Sequence, residues 1–177
     1  MKSFIQITRH LYEEPYQLNL VIIASNGLAS GGLEFYSNRE RLFELGKSLE
    51  EFPSHEKSKF LFESGSEYRE DRHAFYLRMR AKALNDREKC LLQIRLNNSQ
   101  AHDQIKTFED PQLTDFSIRT SAEAINRLGA LLVTFSKLEH QRLYWSPTES
   151  WLDNLLAHKE RQVGDVLDAA LASLPPK

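Results

Sequence analysis

Two neighbouring runs of alternating residues, 75–83 and 90–96, constrain the fold of this chain more than any other feature of its sequence. Apolar side chains occupy the odd-numbered positions of the first run and the even-numbered positions of the second. A period of two is typical of strands with one buried face. A turn centred on residues 86–87 pairs Met79 with Ile94 and brings the apolar side chains of both strands to one face. The chain therefore needs an antiparallel sheet and a second layer that covers it.

A second hairpin is predicted nearer the N-terminus. Residues 18–24 alternate in the same way, and Asn26 and Gly27 form a dipeptide that suits a type I′ turn because both residues tolerate positive φ. With these two residues as the loop, Leu20 faces Leu33. Shorter apolar patterns predict further strands around Phe60, Phe62, Phe116 and Ile118.

Two capped amphipathic helices are expected. Ser37 and Glu40 have the spacing of a capping box, as do Thr120 and Glu123. Each pair precedes an apolar stripe at helical intervals, and Pro53 follows the first stripe. The stripes consist of Leu42, Leu45, Leu49 and Phe52 in the first helix, and of Ile125, Leu128, Leu132 and Phe135 in the second.

The segments 28–52 and 113–139 resemble each other at an offset of 83 residues. Both consist of a predicted strand and helix, and Gly46 and Gly129 occupy the same place in the two helices. We expect each glycine to let its helix approach the sheet closely. Internal duplication explains the match, and so do similar packing demands on two strand–helix units.

Residues 147–177 are predicted to form a helical tail after the break at Pro147. Its apolar residues are Trp151, Leu152, Leu155 and Leu156, followed by Val163, Val166, Leu167, Ala170, Leu171 and Leu174. We expect this stripe to pack on the chain's own domain, with a homodimer through the tail as the alternative. The expected fold is a single α+β domain over residues 1–146: a mostly antiparallel, twisted sheet of six to seven strands with two capped helices on its apolar face.

Composition and motifs narrow the function classes. The chain carries 23 Lys and Arg against 25 Asp and Glu, a net charge of −2 that gives no reason to expect nucleic acid or a membrane as partner. A single cysteine, Cys90, and no signal-peptide pattern favour a cytoplasmic protein, with Cys90 in the core. No motif predicts a catalytic site, a cofactor or a metal. Asp71 with His73, or His102 with Asp103, could serve a small hydrolase, although exposed loop residues have the same pattern.

The polar face of the hairpin over residues 75–96 is the strongest candidate site. Its register places Arg78 directly opposite Arg95, and like charges in that position destabilise a sheet. Neutralisation by Glu63 or Asp115 is one explanation, and an acidic protein partner is the other. The candidate partner-binding residues are Tyr76, Arg78, Arg80, Gln93 and Arg95. Two polar loops contribute Glu67, Tyr68, His102 and Asp103 as candidate rim residues.

Taken together, these patterns resemble a group of small bacterial proteins, some of which are similar to immunity proteins that neutralise polymorphic toxins. The resemblance covers residues 18–136 and rests on the segments 33–37, 42–53 and 60–63, the hairpin over 75–96 and the strand–helix unit over 116–135. It implies a cytoplasmic, non-catalytic protein that neutralises a toxin by stoichiometric binding and occlusion. The alternatives are a small hydrolase and a self-assembling adaptor that acts through its C-terminal helices.

Overall fold

The computed structural model of the chain describes residues 2–10, 14, 16–54, 59–71, 73–84, 88–98 and 112–153. They form the strands β1 (Ser3–His10), β2 (Leu18–Asn26), β3 (Ser30–Ser37), β4 (Lys59–Gly65), β5 (Phe75–Ala83), β6 (Cys90–Asn98), β7 (Gln112–Thr120), β8 (Arg142–Trp145) and β9 (Ser150–Leu152), and the helices α1 (Arg39–Glu50) and α2 (Ala122–Phe135). A 3-10 turn lies at Arg69–Asp71. The predicted turn at 86–87, the residues His102 and Asp103, and the predicted tail beyond residue 153 lie outside these ranges.

The strands form two antiparallel sheets, so the predicted single sheet of six to seven strands is wrong, although the α+β class is confirmed. Sheet A has the order β3-β2-β1-β8-β9, and sheet B has the order β4-β5-β6-β7. The prediction failed because β1 and β8 were not recognised as strands. The apolar alternation of β1 ends at the buried Arg9, and β8 is only four residues long.

The core lies between the apolar faces of the two sheets and beneath the helices. Strand β3 contacts β5, β6 and β7 of sheet B, while α1 and α2 pack on each other and also contact β4, β8 and β9. Trp145 of β8 is fully buried, and its indole Nε1 donates a hydrogen bond to the Ala124 carbonyl of α2 at 2.7 Å. Cys90 is buried in the core as predicted. Within the described ranges, neither helix is long and apolar enough to span a membrane.

One hairpin register is confirmed and the other is corrected. Met79 pairs with Ile94 as predicted. Leu20, however, pairs with Phe35, two residues away from the predicted Leu33. The side-chain oxygen of Asn26 accepts hydrogen bonds from the amides of Leu28 and Ala29 at 3.0 and 2.8 Å, which moves the tip of the turn along the chain. A shift of two residues preserves the face of every side chain.

Both helices are capped one residue later than predicted. Asn38, not Ser37, accepts the hydrogen bond from the Arg41 amide, and Ser121, not Thr120, accepts the one from the Ala124 amide. Ser37 and Thr120 remain the last residues of their strands. A cap needs an extended backbone and a side-chain oxygen directly before the first helical turn, and Asn38 and Ser121 provide both.

Two successive sets of elements have the same order, β-β-β-α-β, from β1 to β4 and from β5 to β8, and β9 follows the second set. The first hairpin of each half also has the same register. Ser3 of β1 pairs with Asn26 of β2, and the residues 72 positions later, Phe75 of β5 and Asn98 of β6, pair in the same way. The fifth element of each half joins the other sheet, since β4 pairs with β5 and β8 pairs with β1. Each half therefore contributes the strand after its helix to the sheet of the other half.

The two helical glycines meet at the centre of this arrangement. A Cβ atom on Gly46 would lie 2.8 Å from the Gly129 carbonyl oxygen, and one on Gly129 would lie 2.6 Å from the Gly46 carbonyl oxygen. The glycines therefore let the helices approach each other, which corrects the prediction that each lets its helix approach the sheet.

The chain after α2 also departs from the prediction. Ser146 and Glu149 close a tight turn around Pro147 through a 2.7 Å backbone hydrogen bond, and β9 then adds to the edge of sheet A. Trp151 thus belongs to a strand and not to the start of a helix. The described chain stops at Asp153, whose amide donates to the Arg142 carbonyl at 2.9 Å.

Candidate functional site on the outer face of sheet B

The outer face of sheet B carries an ordered grid of polar and charged side chains. Strand alternation turns every second residue of β4 to β7 away from the core, and the registers align these residues in rows across the sheet. One row, here called the charged row, consists of Glu63, Arg78, Arg95 and Asp115. The neighbouring cations Lys59, Arg80, Lys82 and Arg119 are here called the cationic end.

Asp115 neutralises the opposed arginines of the charged row. Its carboxylate lies 3.0 Å from the Arg95 guanidinium and 3.5 Å from that of Arg78, and it accepts a 2.9 Å hydrogen bond from Gln93. The row therefore has the charge order minus, plus, plus, minus. Of the two explanations for the Arg78–Arg95 pair, these contacts favour neutralisation within the sheet.

Glu67 adds a second carboxylate to Arg95. It reaches the face from the segment after β4, accepts from Arg95 Nε at 3.0 Å and accepts from Asn97 Nδ2 at 2.9 Å. Its hydrogen bond, together with that of Asp115, raises the pKa of Arg95 above the usual value for arginine. A residue predicted to lie at a binding rim is thus part of the charged row's own balance.

Tyr76 is buried beside this row and is not an exposed contact residue. Only 8% of it is accessible, and its hydroxyl donates a hydrogen bond to the Glu63 carboxylate. Burial, followed by this hydrogen bond to a carboxylate, raises the pKa of Tyr76 to about 12. Tyr76 and Glu63 therefore stabilise the face from within.

The described part of the chain provides no such balance for the cationic end. Lys59 stands directly opposite Lys82, and Arg80 occupies the adjacent row. All three are exposed, and no carboxylate within the described part of the chain forms an ion pair with them. They line a surface cavity of about 450 Å³ together with Phe60, Leu61, Ala81, Leu91, Gln93 and Ser117.

Of the predicted site residues, the structure thus places Arg80 and Gln93 at the open cavity, and Tyr76, Arg78 and Arg95 in the self-balanced part of the face. Lys82 was predicted on this face beside the Arg78–Arg95 pair, whereas Lys59 was missing from the predicted site. The alternation of Phe60 and Phe62 was sufficient to place Lys59 on the outer face, but the pairing of β4 with β5 was needed to bring it against Lys82.

Three of the loop candidates, Tyr68, Asp71 and His73, belong to the part of the chain that the structure describes. Tyr68 is 74% exposed, and Asp71 accepts a hydrogen bond from the Ser66 hydroxyl. The His73 ring packs against the edge of Phe75 with centroids 6.5 Å apart. Among the described residues, no three His, Cys, Asp or Glu side chains are grouped as metal ligands would be.

Comparison with known proteins adds no relative: no family model, no curated protein and no solved structure matches the chain.

Proposed function

We propose that this protein is a non-catalytic binding protein of the bacterial cytoplasm that captures an acidic protein surface on the cationic end of sheet B. In the most specific form of the proposal, the partner is a toxin whose active site is occluded by stoichiometric binding, as the resemblance to immunity proteins implies. The observation that supports it is the group of exposed cations around the 450 Å³ cavity, which form no ion pair with any carboxylate that the structure describes.

Electrostatics favours an acidic partner at this place. Lys59 and Lys82 lie directly opposite each other, an arrangement that costs a few tenths of a kcal/mol or more in a sheet. Carboxylates from a partner relieve that repulsion, and the guanidinium of Arg80 can hold one of them through two parallel hydrogen bonds. The same charges speed association by steering the encounter.

The cavity also offers apolar contact area to a protein. Leu61 is 57% exposed on the edge strand β4 and lines the cavity beside Arg80. Interface energy is concentrated in a few well-packed contacts that exclude water, among which arginine is over-represented. A partner side chain inserted between Leu61 and Leu91 would pack on apolar groups beside Arg80.

The surroundings favour a protein over nucleic acid. Glu63 and Asp115 lie on the same face, two residues along their strands from the cavity-lining residues Leu61 and Ser117, a distance of about 7 Å. A continuous phosphate backbone long enough to bind tightly would pass over these carboxylates and be repelled. A protein can place its own cations there.

The test uses the full-length, tagged protein and a lysate of the native cells treated with nuclease. Three baits are compared: the wild type, Lys59→Glu with Lys82→Glu, and Arg39→Glu with Lys137→Glu. The last is a matched control, since Arg39 in α1 and Lys137 just after α2 are exposed cations outside sheet B. The wild type and the control are expected to retain one acidic protein at a 1:1 ratio, with a loss of at least about tenfold in the Lys59/Lys82 variant.

Equal retention by all three baits would contradict the proposal, as would a bound component that nuclease removes. Failure of every bait to retain a stoichiometric partner from cells that carry the toxin would also contradict it. Circular dichroism of the three baits checks that the substitutions, all at exposed positions, leave the fold intact.

A further inference from the structure

The backbone of β4 has one side that no described strand occupies. Sheet B has the order β4-β5-β6-β7, so β4 lies at an edge of the sheet and β5 is its partner. The unpaired N–H and C=O groups of an edge strand can hydrogen-bond a further strand. The edge of β4 is therefore a place where another chain can extend the sheet.

Hydrogen bonds on both sides of the β4–β5 pair show which residues of β4 face this edge. Leu84, directly after β5, donates its amide to the residue before β6 at 2.8 Å, so the even-numbered residues of β5 bond to β6 and the odd-numbered ones to β4. Their partners in β4 are the even-numbered residues. The Glu63 carbonyl accordingly points away from β5 and accepts a 2.9 Å hydrogen bond from the Arg41 guanidinium. Lys59 and Leu61, which have the same parity as Glu63, turn their N–H and C=O groups to the edge.

Arg41 of α1 closes one end of the edge. Its guanidinium holds the Glu63 carbonyl and also lies over the Phe62 ring, 5.7 Å from the ring centroid. The backbone left open is that of Lys59 and Leu61, each of which offers one donor and one acceptor. This length suits an added segment of about three to five residues, at the short end of strand lengths.

The side chains along the edge define what the added segment must carry. On the inner side, Phe60 and Phe62 pack on the core and are only partly buried, so apolar residues of an added strand would complete their burial. On the outer side, Lys59 stands opposite Lys82 and favours a carboxylate beside it. Since side chains of a strand alternate between the two faces, these demands describe a segment of alternating apolar and acidic residues.

We infer that the partner of the cationic end adds such an extended segment to the edge of β4, with its acidic side chains on the outer face beside Lys59. The inference rests on the proposed function, to which it adds the mode of binding. Backbone hydrogen bonds to Lys59 and Leu61 supply affinity that does not depend on the partner's sequence, and the alternating side chains select the partner.

A second copy of the chain is a poorer occupant of this edge. Two β4 strands paired antiparallel about Leu61 would bring the Glu63 of one copy to the Lys59 of the other. That register needs the Glu63 carbonyl of both copies, which Arg41 already holds. A segment that pairs only with Lys59 and Leu61 leaves Arg41 in place.

Amide hydrogen exchange of the full-length, 15N-labelled protein, followed by NMR, tests the inference with a synthetic probe. The probe is a short peptide of alternating valine and glutamate with blocked ends. At about ten times its Kd it should slow exchange of the Lys59 and Leu61 amides about tenfold, because only the free protein exchanges them. The amides of Phe60 and Phe62, which already bond to β5, are the internal control and should keep their rates. Two control peptides, one with lysine for glutamate and one N-methylated at every residue, should have no effect.

Three results would overturn the inference. One is unchanged exchange of Lys59 and Leu61 at millimolar acidic peptide, and another is equal slowing by the N-methylated peptide, which cannot donate backbone hydrogen bonds. The third is slow exchange of both amides in the protein alone that quickens on dilution while light scattering shows a dimer dissociating. A second copy would then be the occupant of the edge.

A proline variant separates this inference from the proposed function. Leu61→Pro removes an N–H that points to the edge and leaves the bonds to β5 intact. Leu113→Pro is the matched control, an exposed leucine in the other edge strand, β7, whose amide also points away from its neighbour. As baits, Leu61→Pro should lose the partner and Leu113→Pro should keep it. If Leu61→Pro keeps a partner that the Lys59/Lys82 variant loses, the proposed function stands and the added strand is wrong.

Discussion

The outer faces of the two sheets occupy equivalent positions in the two halves of the chain but carry opposite chemistry. The charged row of sheet B consists of Glu63, Arg78, Arg95 and Asp115. Its counterpart in sheet A, paired in the same way, consists of Tyr144, Gln6, Ile23 and Gly32. The inner faces are apolar in both sheets, because both pack into one core. The shared frame therefore leaves only the outer residues free to differ, and function must be sought there.

The two rows also differ in whether their side chains balance one another's charge. The charged row satisfies itself, since Asp115 and Glu67 balance Arg95 and Asp115 reaches Arg78. The row of Tyr144, Gln6, Ile23 and Gly32 in sheet A has no charges to balance, and it leaves Ile23 41% exposed. The cationic end beside the charged row is not balanced by the carboxylates in the described ranges, which is why we assign a partner to it.

The largest effect is expected at a position where sheet A buries a charged residue and sheet B buries an apolar one. Arg9 of β1 is 3% exposed and occupies the position of Ala81 in β5. Its guanidinium contacts Glu14 and donates to the carbonyl of Leu138 at 2.9 Å. Arg9→Met should lower the free energy of unfolding by about 3–5 kcal/mol, because Glu14 and the carbonyl lose their partner.

Urea denaturation measures this change, with Arg119→Met as the exposed control, for which we expect a change within about 0.5 kcal/mol. Similar stabilities for the two variants would show that Arg9 is not the link between β1 and the segment after α2.

The next effect concerns the contact between the two halves. A Cβ on Gly129 would lie 2.4 Å from the backbone nitrogen of Glu50, so the helices must separate. Gly129→Ala should cost about 2 kcal/mol in denaturant unfolding. Gly32→Ala is the control, since its nearest neighbour would be 3.6 Å away, and it should change stability by less than about 1 kcal/mol. Equal effects would contradict the close approach of the helices.

A smaller effect separates the two outer faces. Asp115→Asn leaves Arg78 opposite Arg95 without their shared carboxylate, and we expect a loss of about 1 kcal/mol that shrinks in high salt. Glu34→Gln in sheet A removes a charge bonded only to neutral Asn19 among the contacts described, and should change stability by less than about 0.5 kcal/mol. Unfolding in low and high salt compares the two, and an Asp115 variant that is insensitive to salt would contradict the charged row.

The last effect is confined to alkaline pH. Tyr76 occupies the position of Phe4 in sheet A, and its pKa of about 12 in the folded protein exceeds the ordinary value of 10. The stabilisation from Tyr76 is complete below pH 10 and is lost as the pH rises to 12, because only the unfolded chain releases the proton in that window. Tyr76→Phe should abolish this part of the pH dependence, as followed by unfolding curves and by phenolate absorbance. An unchanged alkaline profile would contradict the buried Tyr76–Glu63 bond.

The sequence predicted the register of the hairpin β5–β6 because apolar residues alternate along both strands, and the Arg78–Arg95 opposition followed from that register. It predicted both helices but missed their caps by one residue, since Ser37 and Asn38 can both cap and only the end of β3 decides between them. The division into two sheets was out of reach because it depends on β4 and β8 crossing to the other half.

The candidate site was predictable in part. Strand parity placed Arg80 and Gln93 on the outer face, where the structure has them. The contact of Glu67 with Arg95 was not predictable, because a loop residue has no register. The opposition of Lys59 and Lys82 needed the long-range pairing of β4 with β5. Local periodicity thus indicates which face a side chain occupies, whereas its neighbours on that face depend on tertiary topology.

The most direct test of the central claim, that the cationic end of sheet B holds the partner, is lysine footprinting by acetylation and mass spectrometry in the free protein and in the complex. We expect Lys59 and Lys82 to lose reactivity in the complex, while Lys137 on the helical side reacts as before. If Lys59 and Lys82 react equally with the partner bound and free, the partner lies elsewhere and the account of sheet B is wrong.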